Sequence, residues 1–352
     1  MDIEKVGKAI AYLRKRAGYT QKELAERVGI SNKAVSKWER GQGLPEIGYL
    51  RKLSILLDTD SDSLLAGDVA HHKKGWKGII VLAYNSDGIG AGTMIYDKPL
   101  INYLFSYFLL VGIKEIFVVC ADPKDSVYLQ SNFGSGEDYG IQIRIITDSF
   151  RTAVDAAREL IDGDDNIMLV YGRTILYGVD QTRFFQKAMI DRSHLTIMTL
   201  PKKKSKASIN VDVDKRVVTE QDSVIRTQYD FSEIPIMFFP ADLLKDIARA
   251  ASIEDYVEEQ KLVGNAYIEM LDRGFVEIEV DDWNSVQDAS IFIRIVQEKC
   301  GMNIYCLEEV AWRRGMISLA KLKSLGEDKA GTEYGEYILD LYENLRKRIK
   351  EA

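Results

Sequence analysis

The sequence predicts two folds in series. The first, over residues 1–67, is an all-α bundle. The second, over 77–352, is an α/β domain with a mostly parallel sheet flanked by helices and a helical tail, and residues 68–76 read as the linker. Three observations predict this. A chain of 352 residues exceeds what one small core serves. Up to Gly67 the apolar residues recur only at helical spacing, between glycine stops. From Lys77 onward, short aliphatic runs alternate with helical segments, the pattern of strands joined by crossover helices.

The first helix, IEKVGKAIAYLRKRAG, is expected to stop at Gly18. Thr20 then caps TQKELAERVG, and Glu23 three residues on completes a capping box. Gly29 ends that helix, Ser31 caps SNKAVSKWERG, and Gly41 or Gly43 ends the third. PEIGYLRKLSILLDTDSDSLLAG supplies two further helices that close the bundle. Two short helices joined by the turn GIS form the geometry that lays a second helix in a DNA major groove.

The segment TQKELAERVGISNKAVSKWERGQGLPEI resembles the lambda-repressor/Cro type of helix-turn-helix domain, and the match covers the whole first domain. The resemblance implies that Asn32, Lys33 and Lys37 face base edges, and that Gln21 and Ser31 touch phosphates from two helix N-termini. It places Val35 and Trp38 in the core and pairs Arg14 with Glu39. A minority of such domains bind proteins instead. One copy has a small footprint, so two copies on a two-fold operator are expected.

Charge supports this division. Residues 1–40 carry ten Lys/Arg against five Asp/Glu, or +5, so the remainder carries −12 of the net −7. A basic head on an acidic body suggests that only the head meets a polyanion. Cys120, Cys300 and Cys306 form no CxxC pair, which fits a reducing cytosol and argues against structural zinc. The charged start MDIEKVGKAI is unlike a signal peptide, and LINYLFSYFLLVGI (100–113) is too short to span a bilayer and reads as a buried helix. A cytoplasmic protein without membrane contact is expected. In the linker, His71 and His72 are adjacent, which suits a solvated hinge better than a metal site.

In the second domain GIIVLAY, EIFVVCA, IQIRIIT, NIMLVYG and LTIMTL are the expected strands. LINYLFSYFLLVG and RTAVDAARELI are helices between them, and VQDASIFIRIVQEKCG, LEEVAWRRG, SLAKLKSLG and GEYILDLYENLRKRIKEA form the tail. Ligands of such sheets sit outside the carboxyl ends of the strands. The loop after GIIVL carries Gly88, Gly90 and Gly92 and is placed for a phosphate. It is not a dinucleotide fingerprint, because Thr93 stands where the third glycine belongs and no helix follows directly. The run PKKKSK (201–206) reads as a solvated loop.

The domain also resembles the sugar-1-phosphate nucleotidyltransferases, specifically the glucose-1-phosphate thymidylyltransferases, a Rossmann-like α/β fold. The resemblance rests on KGII (77–80), YDKPLI (96–101), LVGIKEI (110–116), YGIQI (139–143), DGDD (162–165) and LYG (176–178). CLEEVAWRRGMI (306–317) and YGEYI (334–338) extend it through the tail. It implies an enzyme that joins a nucleoside triphosphate to a sugar 1-phosphate, releases pyrophosphate and uses magnesium. Catalysis of that kind rests on cations and positioning.

The implied cations are largely replaced. Met94 follows Gly92-Thr93 where the family has Arg, and the segment carrying its first Lys is absent. Arg173 takes the place of a metal-binding Asp, and Gln221-Asp222-Ser223 replaces a Glu-Lys-Pro. Asp281 alone is a candidate metal ligand, with Glu279 an equal match. Lys98, Lys114 or Arg151 would have to compensate. Gly88, Gly90, Gly92, Thr93, Lys98, Arg173 and Asp281 therefore remain as candidate nucleotide or sugar contacts. Arg173 either neutralises a phosphate in place of a metal or pairs with Asp281. No catalytic residue and no cofactor is expected.

The expected function is a DNA-binding transcriptional regulator with an inactive nucleotidyltransferase-like body, a pseudoenzyme. That body senses a nucleotide sugar or sugar phosphate, or assembles a homodimer or homotetramer. The alternative is an active glucose-1-phosphate nucleotidyltransferase, magnesium included, that carries a DNA-binding head.

Overall fold

The computed structural model describes residues 2–16, 19–57, 59, 61–67, 75–147, 165–190, 194–202, 211–212, 217–218, 230–240, 243 and 253–351. The chain divides into two compact units, Met1–Gly75 and Trp76–Ala352. Sheet structure begins at Trp76, one residue inside the expected linker. His71, His72 and the rest of 68–74 lie outside the described residues, as do Arg151, RTAVDAARELI, Gln221-Asp222-Ser223 and residues 203–206 of the basic run.

The first unit holds α1 (Ile3–Arg16), α2 (Gln21–Val28), α3 (Asn32–Glu39), α4 (Ile47–Leu56) and α5 (Ser61–Ala66). The capping box forms at α2: Thr20 N donates to Glu23 Oε2 at 2.7 Å and Glu23 N to Thr20 Oγ1 at 3.2 Å. Gly29 closes the helix in the left-handed region at φ 87°, where a Cβ would be strained. Ser31 Oγ accepts from Ala34 N and starts α3. That helix ends at Arg40, with Gly41 next at φ 67°. The apolar faces of these helices meet in one core through Val6, Ile10, Leu13, Leu24, Val35, Trp38 and Leu53.

The second unit is built on a nine-stranded sheet. Its strands in chain order are β1 (Trp76–Leu82), β4 (Glu115–Cys120), β5 (Gln142–Thr147), β6 (Asn166–Tyr171) and β8 (Leu195–Lys202), then β9 (Val211–Asp212), β10 (Val217–Val218), β11 (Asp230–Phe239) and β12 (Ala266–Met270). Their spatial order is β5-β4-β1-β6-β11-β8-β12-β10-β9. Only β11 and β10 run against the others, so the sheet is mostly parallel. Two ribbons stand apart from it: β2 (Met94–Ile95) with β3 (Lys98–Pro99), and β7 (Thr174–Tyr177) with β13 (Val276–Glu279).

Strand β1 shows how the sheet is covered on both faces. Ile79 and Val81 join one core with Phe117, Leu169 and Ile197, while Ile80 and Leu82 join the other with Leu104, Phe105 and Phe108. This is the period-two alternation of a strand buried on both sides. Helix α6 (Leu100–Leu110) is the buried helix expected from its apolar run, with its residues buried from Leu100 to Leu109. It lies so close to β1 that a Cβ on Gly78 would stand 2.5 Å from the Phe108 ring. Helices α7 (Pro123–Phe133), α8 (Gln181–Ala188) and α9 (Ile253–Leu262) follow in the sheet region. The tail is helical as expected: α10 (Trp283–Cys300), α11 (Leu307–Arg313), α12 (Leu319–Glu327) and α13 (Glu333–Glu351). No helix among the described residues is long and apolar enough to cross a membrane.

Helix α1 rests on the end of α3 at Gly7, where an added Cβ would stand 2.3 Å from the Trp38 carbonyl oxygen and 2.9 Å from Gly41 N. Alanine gains about 1 kcal/mol in helix propensity. A clash with fixed backbone outweighs that, at about 1–3 kcal/mol. Gly7→Ala is expected to lower the melting temperature of the first unit, followed by the fluorescence of Trp38; an unchanged or raised value would show that the two helices separate freely.

Candidate functional site

In the first unit, one charged residue organises the contacts of α3. Arg14 Nε donates to Glu39 Oε1 at 2.5 Å and Nη2 to Glu39 Oε2 at 3.1 Å, while Nη1 donates to Tyr19 O at 2.6 Å. Gln21 Nε2 donates to Glu39 Oε2 at 2.7 Å. Glu39 thus ties α1, the start of α2 and the end of α3 together. Two carboxylate oxygens facing a forked guanidinium are a strong, directional pair. Val35 and Trp38 are buried, whereas Ser31, Asn32, Lys33 and Lys37 are exposed on α3. Ser31 caps the helix, and Gln21 is half-buried with its amide group already engaged.

In the second unit, β1 and β6 end side by side, and the loop 83–93 leaves from the end of β1. The N–H groups of its residues 87–91 are committed within the chain. Asp87 N and Ile89 N donate to Asn85 Oδ1 at 2.9 and 3.2 Å, and Gly88 N to Asn85 O at 3.2 Å. Gly90 N donates to Thr93 Oγ1 at 2.9 Å and Ala91 N to Asp125 Oδ1 at 2.6 Å. The glycines have different uses. Gly88 is exposed in a left-handed turn at φ 75° with open space around it. A Cβ on Gly90 would lie 2.1 Å from Asp125 Oδ1, and one on Gly92 2.8 Å from the Tyr128 ring. Gly90 and Gly92 are therefore demanded by the packing of α7 against the loop, and the anion the loop holds is a carboxylate of this chain.

Arg173 occupies the tight connection from β6 to β7 and is 4% exposed. Its Nη2 donates to Ala83 O, and its carbonyl accepts from Val280 N at 2.9 Å. Asn85 Nδ2 donates to Asp281 O at 2.8 Å. These bonds draw three distant segments together: 83–85 after β1, 172–174 after β6 and 280–283 before α10. Arg173 Nε has no partner among the described residues, and neither has Asp125 Oδ2. Burial pushes the Arg173 pKa down, opposed by Asp125, Asp281 and Asp122. No carboxylate among the described residues lies within ion-pair distance of the guanidinium, so direct pairing with Asp281 does not occur. Asp281 is exposed, and its backbone N–H donates to Ser285 Oγ at 3.1 Å.

Lys98 lies apart from this convergence. It is 1% exposed, its Nζ donates to Asp97 Oδ1 at 2.7 Å and to Gln297 Oε1 at 3.2 Å, and it stands over the Tyr103 ring at 4.7 Å. Its ammonium joins the β2–β3 turn to α10 and α6. Sequence reasoning missed Asn85 and Asp125. The only signal for the first was the stretch YNSD ahead of the glycines; for Asp125 it was its place one turn into a Pro-started helix.

A helix-turn-helix family profile matches residues 10–64 and a nucleotidyl transferase profile residues 93–219. The chain is 31% identical over 264 residues to a glucose-1-phosphate thymidylyltransferase of Neisseria meningitidis, covering 70% of this chain and 90% of that protein. It belongs to the glucose-1-phosphate thymidylyltransferase family. The enzyme of Mycolicibacterium smegmatis is 25% identical, with 70% and 89% covered. A Bacillus anthracis chain, proposed as such an enzyme and solved with sucrose, shares the fold at a TM-score of 0.50 and 13% identity, with 62% and 96% covered.

Within the thymidylyltransferase family this chain joins the glycine loop directly to a hairpin: Thr93 is followed by β2, and Leu100 N donates back to Thr93 O at 2.8 Å. The segment expected to carry the family's first lysine is absent at that junction. Magnesium is usually held by one or two carboxylates together with substrate phosphates. Of the two places where the family resemblance implies such a carboxylate, one is taken by the buried Arg173 and the other is the exposed Asp281, and the described residues contain no group of three or more His, Cys, Asp or Glu placed to hold a metal ion.

Burial raises the Asp125 carboxyl above the usual carboxylate range, against the lowering effect of the Ala91 N–H and Arg173. A raised acid favours the fold most below its unfolded pKa, and that contribution is lost as pH rises through the folded pKa. Asp125→Asn keeps the acceptor for Ala91 N and removes the buried charge. The stability of wild type relative to Asp125→Asn is expected to rise as the pH is lowered from 7 to 4, measured by thermal unfolding at each pH. A trend of opposite sign would mean that the carboxylate is held ionised.

Proposed function

We propose that the chain is a DNA-binding transcriptional regulator whose thymidylyltransferase-like unit no longer transfers nucleotides and serves as a sensing module, assembled as a dimer or tetramer. One observation supports the catalytic half of this reading: at the end of β6 a guanidinium, 4% exposed, stands where the family resemblance implies a metal-binding Asp. A cationic side chain there cannot coordinate a divalent cation. Nucleotidyl transfer concentrates negative charge on phosphorus, and loss of one phosphate-clamping cation costs roughly two to three decades in rate. The committed N–H groups of 87–91 support the same reading. No pyrophosphate release above background is expected with glucose 1-phosphate, each nucleoside triphosphate and magnesium.

A second reading is favoured by the 31% identity across 90% of the Neisseria meningitidis enzyme. It makes the chain a bifunctional enzyme with a DNA-binding head. Turnover abolished by Asp281→Ala would establish it.

For the first unit, the support is the exposed set Asn32, Lys33 and Lys37 on a capped helix, with Ser31 at its N-terminus and Gln21 at that of α2. The bound form is a two-fold complex on half-sites about one helical turn apart. Lys37→Ala and Asn32→Ala are each expected to weaken binding to an operator selected from random duplexes by about 1–3 kcal/mol, with Asn32→Ala also relaxing base preference. Fluorescence anisotropy across a salt series measures both. Affinity unchanged in the two variants would remove α3 as the reading helix.

A further inference from the structure

Helix α10 buries one face and leaves an apolar seam on the other. Val286, Ala289, Ile293 and Gln297 are its buried residues. Ile291 and Ile295 each stand two residues from Ile293, so about 200° round the helix from it. They are 50% and 44% exposed, and Met302, just past the Gly301 cap, is 62% exposed. Phe292 and Val296, between the two faces, pack against the core beneath. A surface helix ordinarily carries polar residues at the middle of its outward face. Two isoleucines one turn apart in that position mark a contact surface rather than scattered apolar exposure.

The polar residues beside this seam decide what covers it. Asp288 and Lys299 are exposed on one flank, about 60° and 80° from Ile291, and Gln287 and Glu298 lie about 40° and 20° the other way. Glu298 is drawn toward its own flank, where its Oε1 accepts from Arg294 Nη1 at 3.0 Å. Among the described residues neither Asp288 nor Lys299 takes part in an ion pair. A two-fold axis beside Ile293 lays the helix antiparallel on a copy of itself and sets Ile291 against Ile295. Asp288 lies five residues before Ile293 and Lys299 six after it. With a rise of about 1.5 Å per residue, Asp288 then stands nearly level with Lys299 of the second copy, on the same flank. Gln287 meets Glu298 in the same way. Parallel pairing would set Asp288 against Asp288 and Lys299 against Lys299, which repel. Flanking charges of this kind choose the orientation of a helix pair. One sequence supplies both halves of the match, which commits the seam to a second copy of the chain.

We infer that α10 is a self-pairing face: two copies of the chain join through antiparallel α10 helices, with Ile291 on Ile295 of the second copy and Asp288 facing its Lys299. This rests on the reading of the chain as a dimer or tetramer, and names the surface and the register of one contact in it. An isologous contact of this type supplies the two-fold symmetry that a two-fold operator requires.

Sedimentation equilibrium of the full chain without DNA, over a dilution series, provides the test. The double variant Ile291→Glu/Ile295→Glu is expected to weaken one association step about tenfold or more, because it puts charge into the apolar seam. Asp288→Lys and Lys299→Asp each bring like charges together and are expected to weaken that step about threefold, more at low salt. The charge swap Asp288→Lys/Lys299→Asp is expected to return to within about twofold of wild type, because the two changes are coupled across the contact. The substituted side chains are all exposed, so the far-ultraviolet circular dichroism of every variant is expected to match wild type. Dissociation by the glutamates without rescue by the charge swap overturns the antiparallel register and sets the seam against another element of the second copy. An oligomer whose mass ignores all these substitutions overturns the inference and leaves the assembly reading in place. A wild type that stays monomeric throughout the series overturns both.

Discussion

The arrangement of the second unit depends on a buried cation at the end of a parallel strand. Such ends gather ligand charge in α/β sheets, and a phosphate-processing site requires positive charge that arrives with, or is matched to, its substrate. Here the positive charge belongs to the chain. Arg173 is covalently fixed at the β6–β7 connection, its side chain donates to Ala83 O, and its carbonyl receives Val280 N. Desolvating a guanidinium costs several kcal/mol unless charge and hydrogen bonds offset it. Asp125, Asp281 and Asp122 supply the charge, and Ala83 O supplies one of the bonds. The carboxylates near the guanidinium therefore offset part of its burial before any ligand arrives.

The first unit uses the same chemistry for a different purpose. Arg14 and Glu39 are also a largely buried pair, but here both oxygens of Glu39 are used and Gln21 adds a third donor. The result fixes the angle between α2 and α3, which decides whether a reading helix can enter a groove while its neighbour lies across the backbone. Phosphate contact by Gln21 is constrained by the same bond: its amide nitrogen is oriented by Glu39, which leaves the side-chain carbonyl and the helix N-terminus to meet other groups.

How much of this was legible in the sequence follows from the range of each interaction. The helices of the first unit were readable to within a residue or two because Thr20, Glu23, Gly29 and Ser31 act within one turn of themselves. The buried α6 and the strands β1, β4, β5, β6 and β8 were readable because apolar runs and glycines flank them. The reversal of β11 was not, since antiparallel insertion into a parallel sheet leaves no local mark. The site was legible as an inventory but not as geometry. The identity of Arg173 was visible, yet its partners lie 90 residues before it at Ala83 and 107 after it at Val280. The glycine series suggested a phosphate cradle; its real demand came from Asp125 and Tyr128, placed by the packing of α7. Lys98 shows the same limit, because its burial by Gln297, Tyr103 and Asp97 depends on α10 closing over the hairpin.

A loop that satisfies its own N–H groups and a site that carries its own cation share a thermodynamic consequence. Neither waits for a ligand to become ordered, so a ligand adds stability only by mass action, as RT ln(1 + [L]/Kd). Sensing then requires something more than binding. A ligand held equally in every arrangement of the assembly changes DNA affinity in none of them, and only a difference in affinity between arrangements couples the two events. Coupling is also reciprocal: whatever factor the ligand applies to DNA binding, DNA applies to the ligand. Ordering of residues 87–91 contributes little to such a difference, because their N–H bonds are made already.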